Sequence, residues 1–493
     1  MKQFNSEATE TPFDMPETPE GWEIVLFGRI AQIIGGGTPK TSDNGNFSER
    51  GYPWITPADL SGFNEMYISW GRRSLSEQGL KTSSAVLLPE GTVLMSSRAP
   101  IGYLAIAANE LCTNQGFKSF ICPPGVLPEY VFFWLKFITP FLEDMGSGST
   151  FLEISGSRAR KIPILLAPTS EQKRIAAKVE ELLARVNATK DRLAKVSMIL
   201  KRFRQAVLTA ACSGRLTEGW RNQNPSRESG KYLLQAILDE RKCSAKKDRT
   251  EFNKFAGFDV EEFPNLPDSW VWTNVGQITK NFDGQRIPVK ADDRANRRGP
   301  YHYYGASGII DTIDDYLFNG KFLLIAEDGA NLLSRSTPIA FRASGKFWVN
   351  NHAHVVQMHG EIPLQYLEVY LNGIDLQHYV TGSAQPKLTQ VAMNRIPVPL
   401  PPLTEQKEIV RLVEAMFKLA DTVEKRVAAA IARAEKLTQA ILAKAFSGEL
   451  VPTEAELARL EGRPYETASE LLARIKSERD AKQTSQKVRR NRN

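Results

Sequence analysis

The chain has 493 residues, 42% of them hydrophobic, with 63 Lys and Arg against 56 Asp and Glu. That length exceeds one ordinary domain, and that apolar content excludes a disordered chain. The formal charge of +7 fits a polyanionic partner such as nucleic acid without establishing one.

Four cysteines, Cys112, Cys122, Cys212 and Cys243, form no Cys-x-x-Cys pair, so free thiols in a reducing compartment are expected. No signal peptide is evident. The most apolar run, Tyr130 to Leu142, is short for a bilayer and is broken by Lys136 and Pro140. A soluble, cytoplasmic protein with no membrane partner is expected.

Residues 1–20 are polar, acidic and Pro-rich, and are expected to be disordered. Residues 21–169 read as a first globular domain, opening on the phrase Pro19-Glu20-Gly21-Trp22. Its loop Gly35 to Lys40 supplies Gly36, Gly37, Thr38 and Lys40 as candidate phosphate contacts, a weak signal alone. Gly91 to Arg98 reads as a buried strand ending in Ser97 and Arg98, and Ile101 to Ala107 continues the sheet. Asn114, Gln115 and Lys118 follow on a strand-edge loop. Asn and Gln are the residue types that pair with adenine edges, and Arg the type that reads guanine.

Residues 170–214 predict a long helix, with Ser170 as N-cap and Gly214 in the left-handed C′ position. Apolar positions alternate at spacings of four and three: Ile175, Val179, Leu182, Val186, then Thr189, Leu193, Val196, Leu200, Phe203 and Val207. Such a repeat is a coiled-coil seam. Ten Lys and Arg against four Asp and Glu between Glu171 and Cys212 suit a solvated face as well as a DNA-facing one. Residues 215–263 form a polar linker holding a short helix at Leu233 to Arg241.

Residues 264–402 predict a second globular domain, with Pro267-Asp268-Ser269-Trp270 repeating the opening phrase at an offset of 248. Tyr304 and Ser307 lie in an aromatic, glycine-rich turn. Phe322 to Ile325 predicts a strand leading to Glu327, Asp328 and Asn331; the two carboxylates could accept from a cytosine amine or simply end the strand. Phe347 to His354 occupies the slot of Cys112 to Lys118, so Asn350 and Asn351 stand opposite Asn114 and Gln115. His352 joins them as a candidate DNA contact. His352-x-His354 could set two imidazoles on one strand face, but with no third ligand evident no metal is expected.

Residues 403–448 predict a second long helix that aligns with the first without a gap at an offset of 234. Thr404 takes the N-cap role and Gly448 the C′ role. Its seam runs Ile409, Val413, Met416, Ala420, Val423, Val427, Ala430, Ala434, Leu437, Ile441. Residues 449–493 hold a short helix, Leu471 to Arg479, echoing Leu233 to Arg241, and a basic tail expected to be disordered.

Enzymatic signatures are missing: there is no GxxxxGK[ST] loop, no Asn- or Asp-Pro-Pro-aromatic tetrapeptide, and no GxGxxG opening a helix. A non-catalytic chain is expected.

The order of domain, helix, domain, helix, with Pro168, Glu171, Gln172, Ile175 and Pro402, Glu405, Gln406, Ile409 at matching spacing, resembles the specificity (S) subunit of Type I restriction-modification systems. The phrases Tyr304 to Ile310 and Asn350 to His354 resemble common target-recognition-domain sequences. The resemblance implies an α+β fold: two mixed target recognition domains separated by two long helices pairing as an antiparallel coiled coil, a tandem repeat with pseudo-two-fold symmetry. It implies that each domain reads half of a bipartite, asymmetric site in double-stranded DNA. Two modification (methyltransferase) subunits would bring S-adenosylmethionine for adenine methylation, and restriction (translocase/endonuclease) subunits would use ATP; no cofactor is expected in this chain. The rival readings are a specificity subunit of a related fused restriction-methylation system, a single-chain modification enzyme with an unfamiliar active site, and a non-catalytic coiled-coil scaffold.

Overall fold

A computed structural model describes residues 15–98, 100–142, 144, 152–225, 228–247, 263–382 and 385–490. The segments expected to be disordered at 1–14 and 491–493 lie outside the described residues, as does linker sequence at 248–262. The chain divides into two compact units, Met1–Arg192 with Ala430–Asn493, and Leu193–Ala429. Each long helix is therefore shared, half of it belonging to each unit.

In the first unit a five-stranded sheet runs in the order Gln32–Gly35, Phe117–Ile121, Val93–Ser97, Ile101–Ala107, Tyr67–Ile68. Its side chains alternate between two cores, as a period of two demands. Val93, Met95 and Phe120 face a large core that includes the helix Pro128–Leu142, while Leu94, Ala105 and Phe117 face a smaller one. A three-stranded sheet orders Arg73–Leu75, Phe47–Ile55 and Cys112–Thr113. The second unit repeats the plan with six strands: Thr279–Asn281, Ala353–Met358, Phe318–Ala326, Ala340–Val349, Tyr301–Gly305, Gly308–Ile313. There Leu323, Ile325 and Val356 face the core holding the helix Leu364–Gly373, and Phe322, Leu324 and Val355 face the other side.

Each unit also carries a two-stranded antiparallel ribbon, Glu23–Leu26 with Pro163–Leu166 and Val271–Asn274 with Pro397–Leu400. Prolines remove donors from its second strand, and free carbonyls there need partners. Tyr130 Oη donates to the Leu165 carbonyl (2.6 Å) and Trp134 Nε1 to that of Pro163 (2.8 Å). Tyr366 and Tyr370 do the same for Pro399 and Pro397.

The long helices span Thr169–Cys212 and Leu403–Phe446. Ser170 and Thr404 lie inside them rather than at the N-cap. Pro168 and Pro402 cap instead, their carbonyls each accepting two backbone N–H groups, from Glu171 and Gln172 and from Glu405 and Gln406. Gly214 and Gly448 adopt φ of +74° and +78°, as a left-handed C′ residue requires. Within the first unit Arg174 meets Glu454 and Lys190 meets Glu435; within the second Arg204 meets Asp421 and Glu424, and Arg221 meets Glu405. As one partner advances the other recedes, so the paired elements are antiparallel in each unit. The seam departs from its expected course at Thr189 and Leu437, both exposed.

The repeated Glu-Gln pair is buried in both copies. Its glutamine bonds groups beside its own helix start, Gln172 to Gly125, Leu127 and Ala167 and Gln406 to Pro401, and its glutamate holds the segment that follows the other long helix. Glu405 accepts from Thr217 Oγ1 (2.7 Å), Arg221 Nε (2.9 Å) and Trp270 Nε1 (2.9 Å). Glu171 accepts from the Glu454 backbone N–H (2.9 Å), but its Oε1 has no hydrogen-bond partner. Further on, Arg241 donates to the carbonyls of Gly276 and Gln277, and Arg479 lies 3.4 and 3.5 Å from those of Gly28 and Arg29. The helix carrying Arg479 spans Ala468–Arg490, so helix replaces the start of the basic tail expected to be disordered.

Burial raises the Glu171 carboxyl above its ordinary 4.5, outweighing the Glu454 N–H. A carboxyl raised in the folded state contributes stability that is fully present below its unfolded value and lost as pH rises through its folded value. Glu171→Gln, which keeps an acceptor and cannot ionise, is therefore expected to gain on the parent as pH rises from 5 to 8. Melting temperatures of the two chains across that range check this, and a constant difference would refute it.

Candidate nucleic-acid interface

In the first unit the turn Asn114-Gln115-Gly116 is closed by its own asparagine, whose Oδ1 accepts from the Gly116 N–H at 2.9 Å. Asn114 N donates to the Ile55 carbonyl (3.0 Å), Ser97 N to that of Gly116 (2.7 Å), and Ile154 N to that of Ser97 (3.0 Å). Two separate segments thus bond the turn, and a third bonds the second of them. Beneath it Lys118, 7% exposed, places Nζ 3.2 Å from Ser97 Oγ and 3.3 Å from Glu153 Oε1. Arg98 lies 3.8 Å from the other oxygen of Glu153 and keeps a partly open side chain.

This placement revises several sequence expectations. Lys118 is not free for phosphate; it is buried in an ion pair. Ser97 is fully buried, with Oγ donating to the Gly116 carbonyl. Gly36 and Gly37 serve close packing: a Cβ would come within 2.0 Å of the Asn114 carbonyl oxygen at Gly36 and 2.1 Å of Ala85 N at Gly37. The Gly37 N–H is spent on the Thr113 carbonyl, and its own carbonyl accepts from Trp54 Nε1. Thr38 Oγ1 is buried without a partner, while Lys40 is exposed. Gln115 is the exposed residue of the turn.

The second unit builds the same device from different residues. Asn350 Oδ1 accepts from the His352 N–H (2.9 Å), and Asn350 N donates to the Tyr304 carbonyl (3.1 Å). Glu327 N donates to the His352 carbonyl (2.9 Å), and Leu388 N to that of Glu327 (2.7 Å). Four residues after the turn asparagine, where the first unit has Lys118, stands His354. Its Nδ1 lies 2.6 Å from Asp283 Oδ2 and its Nε2 2.8 Å from the Leu388 carbonyl. Glu327 is engaged by Arg286 (2.7 Å) and Lys387 (3.2 Å). Burial pushes the Asp283 and Glu327 carboxyls up, but bonds from His354 to the first and Arg286 to the second leave both below their ordinary values. Glu327 is therefore committed to its neighbours and not open to a cytosine amine.

Asn351 and His352 are exposed, with His352 Nδ1 2.7 Å from Asp328 Oδ2. His352 and His354 do not share a site, because they turn to different carboxylates. Tyr304 is buried, stacked on Phe341 with 6.1 Å between centroids, and Ser307 is exposed at the hairpin tip. Asn331 spends its side chain inside its own loop, on Ser336 and Thr337. The candidates left open at the two turns are thus exposed Gln115 with half-buried Arg98, and exposed Asn351 with His352. Sequence reasoning missed Glu153, Asp283, Arg286 and Lys387, whose roles come from tertiary contacts.

The family described as Type I restriction modification DNA specificity domain matches residues 19–198 and 267–433, starting each time at the proline of the repeated opening phrase. The chain belongs to this family. Relatives extend the likeness over nearly the whole length. The Type I restriction enzyme EcoDI specificity subunit of Escherichia coli is 30% identical, the match covering 94% of this chain and 96% of that protein. The EcoKI specificity subunit of Escherichia coli strain K12 is 28% identical, with 94% and 96% covered. A solved chain from work on complex assembly and conformational transition of the type I R-M system shares the fold. It has a TM-score of 0.62 at 17% identity, covering 88% of this chain and 99% of that one. Within the family's terms the chain is a DNA specificity protein, α+β in class, with two sheet-containing domains and two long helices. Among the described residues no helix is long and apolar enough to cross a membrane.

Proposed function

We propose that the chain reads a split, asymmetric site in double-stranded DNA, one half with each domain, and directs partner subunits to it without catalysing a reaction itself. The observation that carries this is the pair of turns. They share one backbone clamp, yet show solvent Gln115 and Arg98 in one domain and Asn351 and His352 in the other. Phosphate and shape contacts position a protein on DNA, whereas different exposed side chains specify different bases. The duplicated helices offer two similar docking surfaces, which suits two modification subunits. S-adenosylmethionine and ATP belong to the modification and restriction subunits on this reading.

The test is methylation by the complex of this chain with its modification subunits, on libraries varied in one half-site at a time. Asn351→Ala is expected to relax one half-site by about 1–3 kcal/mol and leave the other intact; Gln115→Ala does the reverse. Equal relaxation of both halves by either variant would contradict the assignment. The mass of the complex is expected to show two modification subunits per chain, and one copy would exclude the docking claim. Binding to duplex DNA should weaken steeply with salt, because phosphate contacts release counterions.

A further inference from the structure

The two turns rest on the same kind of support with its charges redistributed. In the first domain the cation is Lys118, bound to Ser97 on the neighbouring strand end and to Glu153 on the segment that pairs with it. In the second domain the position equivalent to Ser97 is an acid, Glu327, and the position equivalent to Glu153 is a cation, Lys387. His354 takes the place of Lys118 and is only 1% exposed. The Leu388 carbonyl can only accept, so His354 Nε2 carries a proton. A bare Nδ1 would then face the Asp283 carboxylate as one acceptor against another, so a proton lies between the two. Glu327 Oε2 lies 3.7 Å from the same ring, and Arg286 NH2 lies 3.7 Å from Asp283 Oδ2. Each domain therefore keeps a buried basic side chain four residues beyond its turn asparagine, tied to a carboxyl group brought from a distant segment.

We propose that Lys118 and His354 are positioning residues for base reading: each, as a buried basic side chain, fixes the shape of its turn, and neither touches DNA. A buried network with its partners satisfied rigidifies what it supports, and a recognition group is only as well placed as the shell behind it. The inference rests on the reading of these turns as the half-site readers. It goes beyond that reading by assigning discrimination at each half-site partly to a residue that DNA never meets.

The experiment uses the full chain assembled with its modification subunits and measures methylation of libraries varied in one half-site at a time. His354→Gln removes the basic side chain and is expected to lower discrimination at the second domain's half-site about tenfold, within the range of a lost base contact. His354→Lys restores a basic side chain opposite Asp283 and is expected to retain most of it. Lys118→Met is expected to relax the other half-site only, and Lys118→Arg to retain it. Should Lys118→Met fail to assemble, Glu153→Gln, at a partly exposed side chain, removes the same ion pair from its outer end and carries the test. Unchanged discrimination in the neutral variants, equal loss at both half-sites, or no rescue by the conservative variants in assembled complexes would overturn the proposal. Absence of any half-site preference in the unmodified chain would instead overturn the functional reading on which it stands.

Discussion

Replacing Glu405 by Leu is expected to cost the second unit about 3–5 kcal/mol, the range for removing one partner of a buried ion pair. Glu405 is 1% exposed and serves three donors at once. Leucine matches its bulk but leaves the Arg221 guanidinium, the Trp270 indole N–H and the Thr217 hydroxyl without an acceptor. The damage should be local, because these groups join the start of the long helix to the helix Glu218–Gln223 and the strand Val271–Asn274. Glu405→Gln, which keeps one acceptor oxygen, should lose less. Hydrogen exchange of the full chain measures this directly: amides of those two elements should lose protection in Glu405→Leu while those of Val93–Ser97 in the first unit keep theirs. A loss below about 1 kcal/mol, the size of an exposed pair, would show that the motif glutamate does not anchor the unit.

Shortening both long helices by one heptad is expected to change which DNA sites are used. Lys190 and Glu435, both in the first unit, are 3.9 Å apart, so residues 186–192 and 433–439 lie opposite each other there and can be removed together. Seven residues keep the apolar seam in phase, and the exposed pair lost with them is worth little. Each helix shortens by about 10 Å at roughly 1.5 Å per residue, close to three base pairs at about 3.4 Å each. A heptad is nearly two whole helical turns and barely rotates the rod, whereas three base pairs turn DNA by roughly 100° at about 10 base pairs per turn. If helix length sets the spacer between half-sites, methylation at the original spacer should collapse, or move to a shorter spacer at lower efficiency. Retention of the original spacer at undiminished affinity would separate spacer choice from helix length.

What the sequence reveals follows how local the determinants are. The gapless offset of 234 between two helical stretches rests on a repeat every few residues, so the helices and their glycine stops are legible. Their starts are not, because the capping acceptors are the carbonyls of Pro168 and Pro402 and not the hydroxyls of Ser170 and Thr404. The alignment of Asn114 with Asn350 points to the two turns, and the matching hydrogen bonds show that they are built alike. Lys118, in contrast, looks like a free phosphate ligand until Glu153, 35 residues on, is seen to hold it. His354 and Asp283 are 71 residues apart, and no spacing rule links them. Charge alone says nothing about burial, so the cations that build the site cannot be told from those that face solvent.

On the proposed reading this chain carries two independent half-site readers. Their independence can be read by mapping methylated adenines in DNA from cells holding the modification subunits with this chain, or with a chain whose residues 21–169 come from another family member. A split motif is expected only when the chain is present, with the exchange altering one half and leaving the other unchanged. A motif that persists without the chain, or an exchange that alters both halves together, would contradict that reading.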